Sequence, residues 1–363
     1  MSRYSVLRIS SVSLVVLFIA IAPILILRQV LDDGGVSRHS KDSVMYGIAD
    51  PNLVTETPSV QASQLATMKS VGITGIRVDA NWSWVQPDGP TTFQWGKLDQ
   101  EINSIRNASM SVDLIIDGCP QWAAVPGTAG DQFAQPASST QFAGWAAEVA
   151  KRYGPKGVHD FEIWNEPNIV QFWKPKPNPV AYAADLKAAY MAIKTVDSSA
   201  FVISGGLSPA ATDGTNYSPI SFLQAIYAHG ARESFDALGY HSYSFPAVPD
   251  TYKSWSAWSQ MAQTNPSIRS VMAKNGDFHK SIWITEFGAP SSGPTGVGAA
   301  AQRVDISQAL SYVKKVNWIG ALYIYTWQDT VARRKDDEFG LLTVSDSPKP
   351  AYLALVSALA DAK

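Results

Sequence analysis

The chain has 363 residues, is 46% hydrophobic and only 17% charged, and balances 29 basic against 31 acidic residues. It has enough apolar material for one large core and lacks the basic excess that nucleic-acid binding requires, so no nucleic-acid partner is expected. Cys119 is the only cysteine, which excludes an internal disulfide and a cysteine metal cluster. It precedes Pro120 in an apolar stretch and reads as a packing residue.

At the N-terminus, Arg3 and Arg8 precede a run from Val12 to Leu27 that is apolar except for Ser13. Residues 1–28 read as a signal peptide or uncleaved signal anchor, and Pro23 after the small pair Ala20 and Ala22 favours the anchor. The flanking arginines predict an inside N-terminus. That gives a membrane-anchored chain with an extracytoplasmic catalytic domain, or a secreted one. Residues 29–44 are polar and read as a linker, leaving 45–363 as a single domain.

Eight short β-rich runs follow: Met45–Asp50, Gly75–Asp79, Val112–Asp117, Asp160–Trp164, Phe201–Gly205, Ala237–Tyr243, Ser281–Glu286 and Ala321–Trp327. Between them Ser59–Val71, Thr140–Tyr153, Val180–Val196, Ile220–His229 and Ala300–Val316 carry apolar residues at helical spacing, and Pro350–Lys363 closes the chain. Alternating strands and helices predict an α/β fold, and eight such units predict a closed (β/α)8 TIM barrel. An open doubly wound sheet competes, but Gly47-Ile48-Ala49-Asp50-Pro51 stands where a glycine-rich phosphate loop would follow strand one. No cofactor is expected, and without a His-x-His or His-Glu-x-x-His spacing neither is a metal.

In a barrel the loops after the strands form the reactive face. Strand four ends Phe161-Glu162-Ile163-Trp164-Asn165-Glu166-Pro167-Asn168, where alternation predicts Glu162, Trp164 and Glu166 on one side and Asn165 on the other. Strand seven ends Trp283-Ile284-Thr285-Glu286-Phe287-Gly288. Glu166 and Glu286 are thus expected to face each other across the mouth. Two opposed carboxyl groups can cleave a glycosidic bond, one protonating the leaving oxygen and the other attacking the anomeric carbon or activating water. Arg77 at the end of strand two would keep Glu286 ionised, or would merely pair with Asp79. His241 and Tyr243 share a face of strand six, which would let Tyr243 orient Glu286. Asp117 and Asp329 lie near the rim and either bind hydroxyls or cap helices.

The Trp164–Asn168 and Trp283–Gly288 stretches, with His241-Ser242-Tyr243, resemble those of the clan A glycoside hydrolases from Met45 to the C-terminus. Within the clan, Phe161–Asn168 followed by Gln171-Phe172-Trp173 is similar to family 39, as are Pro120-Gln121-Trp122-Ala123, Phe339-Gly340-Leu341 and Pro348-Lys349-Pro350. The resemblance implies a retaining glycosidase of the exopolysaccharide hydrolase or β-xylosidase type, acting on an oligosaccharide or polysaccharide. It implies Glu166 as acid/base, Glu286 as nucleophile, Asn165 as a ligand of the sugar 2-hydroxyl, Arg77 beside the nucleophile, and Trp327 as the sugar-stacking residue. Trp84, Trp122 and Trp173 are candidates for flanking subsites, and His241 and Tyr243 complete the expected substrate-binding set. The competing reading is a catalytically silent carbohydrate-binding barrel anchored at the cell surface.

Overall fold

A computed structural model describes residues 44–128, 130–330 and 338–360. The calls on residues 1–28 and nearly all of the linker lie outside the described residues, and among those described no helix is long and apolar enough to cross a membrane.

Eight parallel strands appear: β1 Met45–Ala49, β2 Gly75–Asn81, β3 Ser111–Asp117, β4 Asp160–Asn165, β5 Phe201–Gly206, β6 Leu238–His241, β7 Ile282–Phe287 and β8 Ile319–Tyr325. They pair in the order β5-β4-β3-β2-β1-β8-β7-β6. The parallel bridges Ile203 to Ala237 and Leu207 to Tyr240 join β5 to β6, so the sheet closes on itself. The expected barrel is present.

Every crossover contains a helix. These are α1 Pro58–Ser70, α2 Trp82–Val85, α3 Gly96–Asn107, α4 Ser139–Tyr153, α5 Pro179–Val196, α6 Pro219–Ala228, α7 Ala257–Ala262, α8 Ile268–Lys274 and α9 Ala299–Lys315, with α10 Pro350–Ala360 after β8. Three start on the same device: the side chains of Thr57, Asn178 and Ser218 accept from first-turn amides, and proline occupies the next position. A polar cap fills an orphan donor and proline gives one up, so these dipeptides fix where each helix begins. Gly96–Asn107 lacks such a start, with Trp95 at its cap offering no side-chain bond. That helix, together with the short α2, α7 and α8, is absent from the sequence-predicted set.

Alternation along each strand sends Ile76, Val78 and Ala80, or Leu114 and Ile116, outward into the core shared with the helices. Inside the barrel, Ala49, Ile203, Ala237, Trp283, Ala321 and Tyr323 form a second apolar cluster. The Tyr323 ring fits because Gly47 has no side chain: a Cβ there would lie 2.2 Å from it. Polar inward residues begin below the mouth with Asp113 of β3 and continue through Arg77 and Glu162 to the strand ends.

Candidate active site

The end of β4 departs from simple alternation. Trp164 has φ 72° and Glu166 φ 47°, both in the left-handed region that bulky residues avoid. Pairing with β5 consequently passes from Ile163 opposite Ser204 to Asn165 opposite Gly206. The turn sends Trp164 outward, 1% exposed, edge-on to Phe142 and Trp173, while Glu162 stays inside. Asn165 and Glu166 then both line the cavity at the barrel mouth. The expected grouping of Trp164 with Glu162 and Glu166 is therefore corrected. Such strain costs about 1–3 kcal/mol per residue and persists only where surrounding contacts fix it. Here Gly205 and Gly206 make room, since a Cβ on Gly205 would sit 2.5 Å from the Trp164 carbonyl oxygen and one on Gly206 2.2 Å from His241 Nε2.

Arg77 organises the floor. It is 4% exposed, and its Nε donates to Glu162 Oε2 at 2.7 Å, Nη1 to Glu286 Oε1 at 2.6 Å and Nη2 to Asn165 Oδ1 at 2.9 Å. The alternative pairing with Asp79 is not what this side chain does. Glu162 is fully buried and also accepts from the Gly206 amide at 2.7 Å and Thr285 Oγ1 at 3.2 Å. Because Asn165 Oδ1 is taken by Arg77, its Nδ2 amide is left to donate toward the cavity.

Glu286 and Glu166 meet at His241. The imidazole Nδ1 lies 2.8 Å from Glu166 Oε1 and 3.6 Å from Glu286 Oε2, and Tyr243 donates to the same Glu286 oxygen at 2.7 Å. Burial alone would push the Glu286 carboxyl up, but His241, Arg77 and Tyr243 together hold it below its ordinary value. The reverse holds for His241, where burial would lower the imidazole and the charges of Glu286 and Glu166 hold it above its usual value. The arrangement supplies an anionic carboxylate fixed by two donors, Arg77 and Tyr243, with the His241 ring nearby, beside a second carboxyl group.

The cavity measures about 560 Å³ and takes lining residues from all eight strand ends, including Arg77, Asn165, Glu166, Tyr243 and Glu286. Trp84 also lines it and is 51% exposed. The other aromatic expectations need correction. Trp327 is 1% exposed and packs against Tyr352 of α10, because β8 ends at Tyr325, two residues before the expected end, and Tyr325 lines the cavity instead. Trp173 is fully buried against Trp164 and Tyr182. Trp122 packs edge-on to Trp82 and donates to the Gln86 carbonyl. All three hold loops and helices together. His241 is wholly buried behind the two carboxyl groups rather than open to a sugar, and Tyr243 follows β6 in a loop rather than ending the strand.

Of the two rim aspartates, Asp117 lines the cavity, whereas Asp329 is a latch, 2.5 Å from Lys349 Nζ and accepting from the Gly340 amide. Sequence reasoning assigned no site role to Glu162 or Asp79, although it named both, and passed over Phe133 and Tyr325. The first, second and fourth lie on the inward faces of their strands and follow from alternation. Phe133 sits in the long β3–α4 loop, where no periodicity applies.

The sequence profile of the cellulase family, glycosyl hydrolase family 5, matches residues 40–328. A β-xylosidase of Geobacillus stearothermophilus is 26% identical over 220 residues, covering 56% of this chain and 42% of that protein. The chain thus spans less than half the length of that curated relative. Among solved structures, a family 39 glycoside hydrolase from Bacteroides cellulosilyticus aligns with TM-score 0.68 at 21% identity, over 88% of this chain and 64% of that one. GH5_18 from Streptomyces cattleya, solved in complex with GlcNAc, aligns with TM-score 0.68 at 18% identity, over 88% of this chain and 80% of that one. These structural likenesses agree on the barrel.

Proposed function

The chain belongs to the cellulase family of glycosyl hydrolases, family 5, within clan A, and from that membership we propose that it is a retaining glycosidase with Glu286 as nucleophile and Glu166 as general acid/base. The observation that carries the reading is the shared imidazole. Distances of 2.8 and 3.6 Å to one Nδ1 cap the gap between Glu166 Oε1 and Glu286 Oε2 at about 6.4 Å. A gap within that bound accommodates the roughly 5–5.5 Å spacing at which the second carboxylate of a retaining enzyme attacks directly.

In the proposed first step, Glu286 attacks the anomeric carbon while Glu166 gives its proton to the leaving oxygen, forming a glycosyl ester on Glu286. In the second, Glu166 takes a proton from water, which attacks the same carbon and frees Glu286. Arg77 and Tyr243 keep the nucleophile anionic and aimed, Asn165 donates to the sugar 2-hydroxyl, and Trp84 offers an aromatic face at the rim. The charged, apolar segment at residues 1–28 favours an extracytoplasmic glycan as substrate.

A 2-deoxy-2-fluoro glycoside with a good leaving group should stop the reaction at the ester. Mass spectrometry of the peptides is expected to find one added glycosyl group on Glu286. An adduct on another residue, or none while the parent glycoside is cleaved, contradicts the assignment, and a pure carbohydrate-binding barrel forms none at all.

Tyr243→Phe tests the support of the nucleophile. A hydrogen bond to a charged group is worth about 1.5–3 kcal/mol, so kcat/KM should fall by roughly 10- to 100-fold. Losing a donor to the anion raises the Glu286 pKa. Since the reaction needs Glu286 ionised, the acid limb of the kcat/KM profile should move to higher pH. An unchanged acid limb would show that Tyr243 does not act on Glu286.

A further inference from the structure

One side of the cavity carries two aspartates that form no ion pair among the described residues. Asp79 on β2 and Asp117 on β3 are diagonal neighbours, since Asp79 pairs with Ile115 and Asn81 with Asp117. Both line the same cavity as Glu166 and Glu286. Asp117 is 3% exposed, and its Oδ1 is buried without a hydrogen-bond partner. Among the described lining residues Arg77 is the one Lys or Arg, and its guanidinium is already bonded to Glu162, Glu286 and Asn165. Buried carboxyl groups without partners are costly, and in a cleft they mark a place where a ligand supplies the missing donors.

We propose that Asp79 and Asp117 are specificity-determining residues that select a non-anionic sugar, accepting from its hydroxyl or ammonium hydrogens beside Glu286. The proposal rests on the glycosidase reading and adds the substrate class to it. Both sources share one chemistry, a sugar edge that only donates to this wall. A uronate, sulfate or phosphate group would bring like charge and acceptors into a cleft already lined by carboxylates, where low-dielectric walls concentrate the repulsion. Burial, the largest influence on both groups, lifts Asp79 to about 6 and Asp117 well above the usual range, so donors brought by a sugar would favour the carboxylate form of each, whereas an anionic group would oppose it.

The test uses aryl glycosides matched in configuration and differing only in charge: neutral, 2-amino-2-deoxy and uronic acid. Binding of the corresponding free sugars to Glu166→Gln is measured in parallel by calorimetry. Wild type should prefer the neutral or amino member over the uronide by about 100-fold or more in kcat/KM. Asp79→Asn with Asp117→Asn should cut that discrimination to about tenfold and raise KM for the favoured substrate about tenfold, with kcat changed less than about threefold. A preference for the amino over the neutral sugar that vanishes in Asp117→Asn identifies the ammonium group as the donor, and equal rises in KM in both arms identify hydroxyls.

Uronides cleaved or bound as well as their neutral partners overturn the proposal, as does a double variant with unchanged discrimination and KM. Failure of every sugar to be cleaved or bound also overturns it. Charge-selective binding with no turnover in wild type contradicts the glycosidase reading and leaves the selection by Asp79 and Asp117 standing.

Discussion

Replacing Glu286 with alanine should lower kcat by at least about 10⁴-fold, the scale on which enzymes lose activity when their nucleophile is deleted. Azide should restore part of it. The carboxylate sits at the end of β7 with Arg77 on one oxygen and Tyr243 on the other. Truncation removes the attacking atom and opens a space whose remaining groups, Arg77 and His241, favour an anion. Azide entering that space approaches the anomeric carbon from the side Glu286 would have used. The product should be a glycosyl azide of inverted configuration, identified by NMR. Undiminished activity of the variant, or rescue yielding an azide of unchanged configuration, would remove Glu286 from the nucleophile's role.

Glu166→Gln should have the second largest effect, and its size should depend on the leaving group. Proton transfer from a positioned carboxyl contributes about 10²–10⁴-fold. For a sugar or alkyl leaving group the full loss is expected, because that oxygen departs only when protonated. A nitrophenolate needs no proton, so with such substrates the first step survives while hydrolysis of the ester slows for want of a base. Stopped-flow measurement should then show a burst of phenol followed by slow turnover, with azide accelerating the second phase. Equal losses for good and poor leaving groups would mean that Glu166 does not handle the proton. His241 matters to both results, since its Nδ1 contacts both carboxyl groups.

How far the sequence discloses the site depends on which physical rule governs each residue. The strand pattern located all eight strands to within a few residues, because a parallel barrel strand must be apolar outward and is punctuated by turn residues. Glu166 and Glu286 were legible on the same ground, each within one residue of a strand end and facing the mouth, whereas Arg77 lies midway along β2 rather than at its end and Asn165 was expected on the opposite side of β4. Tyr243 was legible as a partner of Glu286, although it lies two residues beyond the strand. The aromatic residues divided differently. An error of two residues at the end of β8 exchanged buried Trp327 for Tyr325, because a shift of two preserves alternation and the pattern cannot detect it. Trp122 and Trp173 lie in loops, where no period tells a core-facing ring from a cavity-facing one. The left-handed turn at Trp164 had no sequence signal, since glycine rather than tryptophan is the usual occupant of that conformation. Glu162 was seen on the inner face of β4, but its role as the second anchor of Arg77 required three-dimensional contacts.

The barrel also explains why its charge is placed as it is. Small and aromatic side chains fill part of the barrel interior, with Gly47 against the Tyr323 ring, and the inward polar residues of β2, β3 and β4 run from Asp113 and Asp160 up to the mouth. Arg77 is the common tie among them. Removing one member of a buried, hydrogen-bonded ion pair costs about 3–5 kcal/mol because the partner charge stays behind. The same guanidinium therefore secures the barrel interior through Glu162 and the reactive carboxylate through Glu286.

The most direct test of the central claim follows the anomeric configuration of the first sugar released from a defined glycoside, read by proton NMR before mutarotation. Double displacement through Glu286 predicts that the first-formed hemiacetal has the configuration of the substrate. A first-formed sugar of opposite configuration would contradict it.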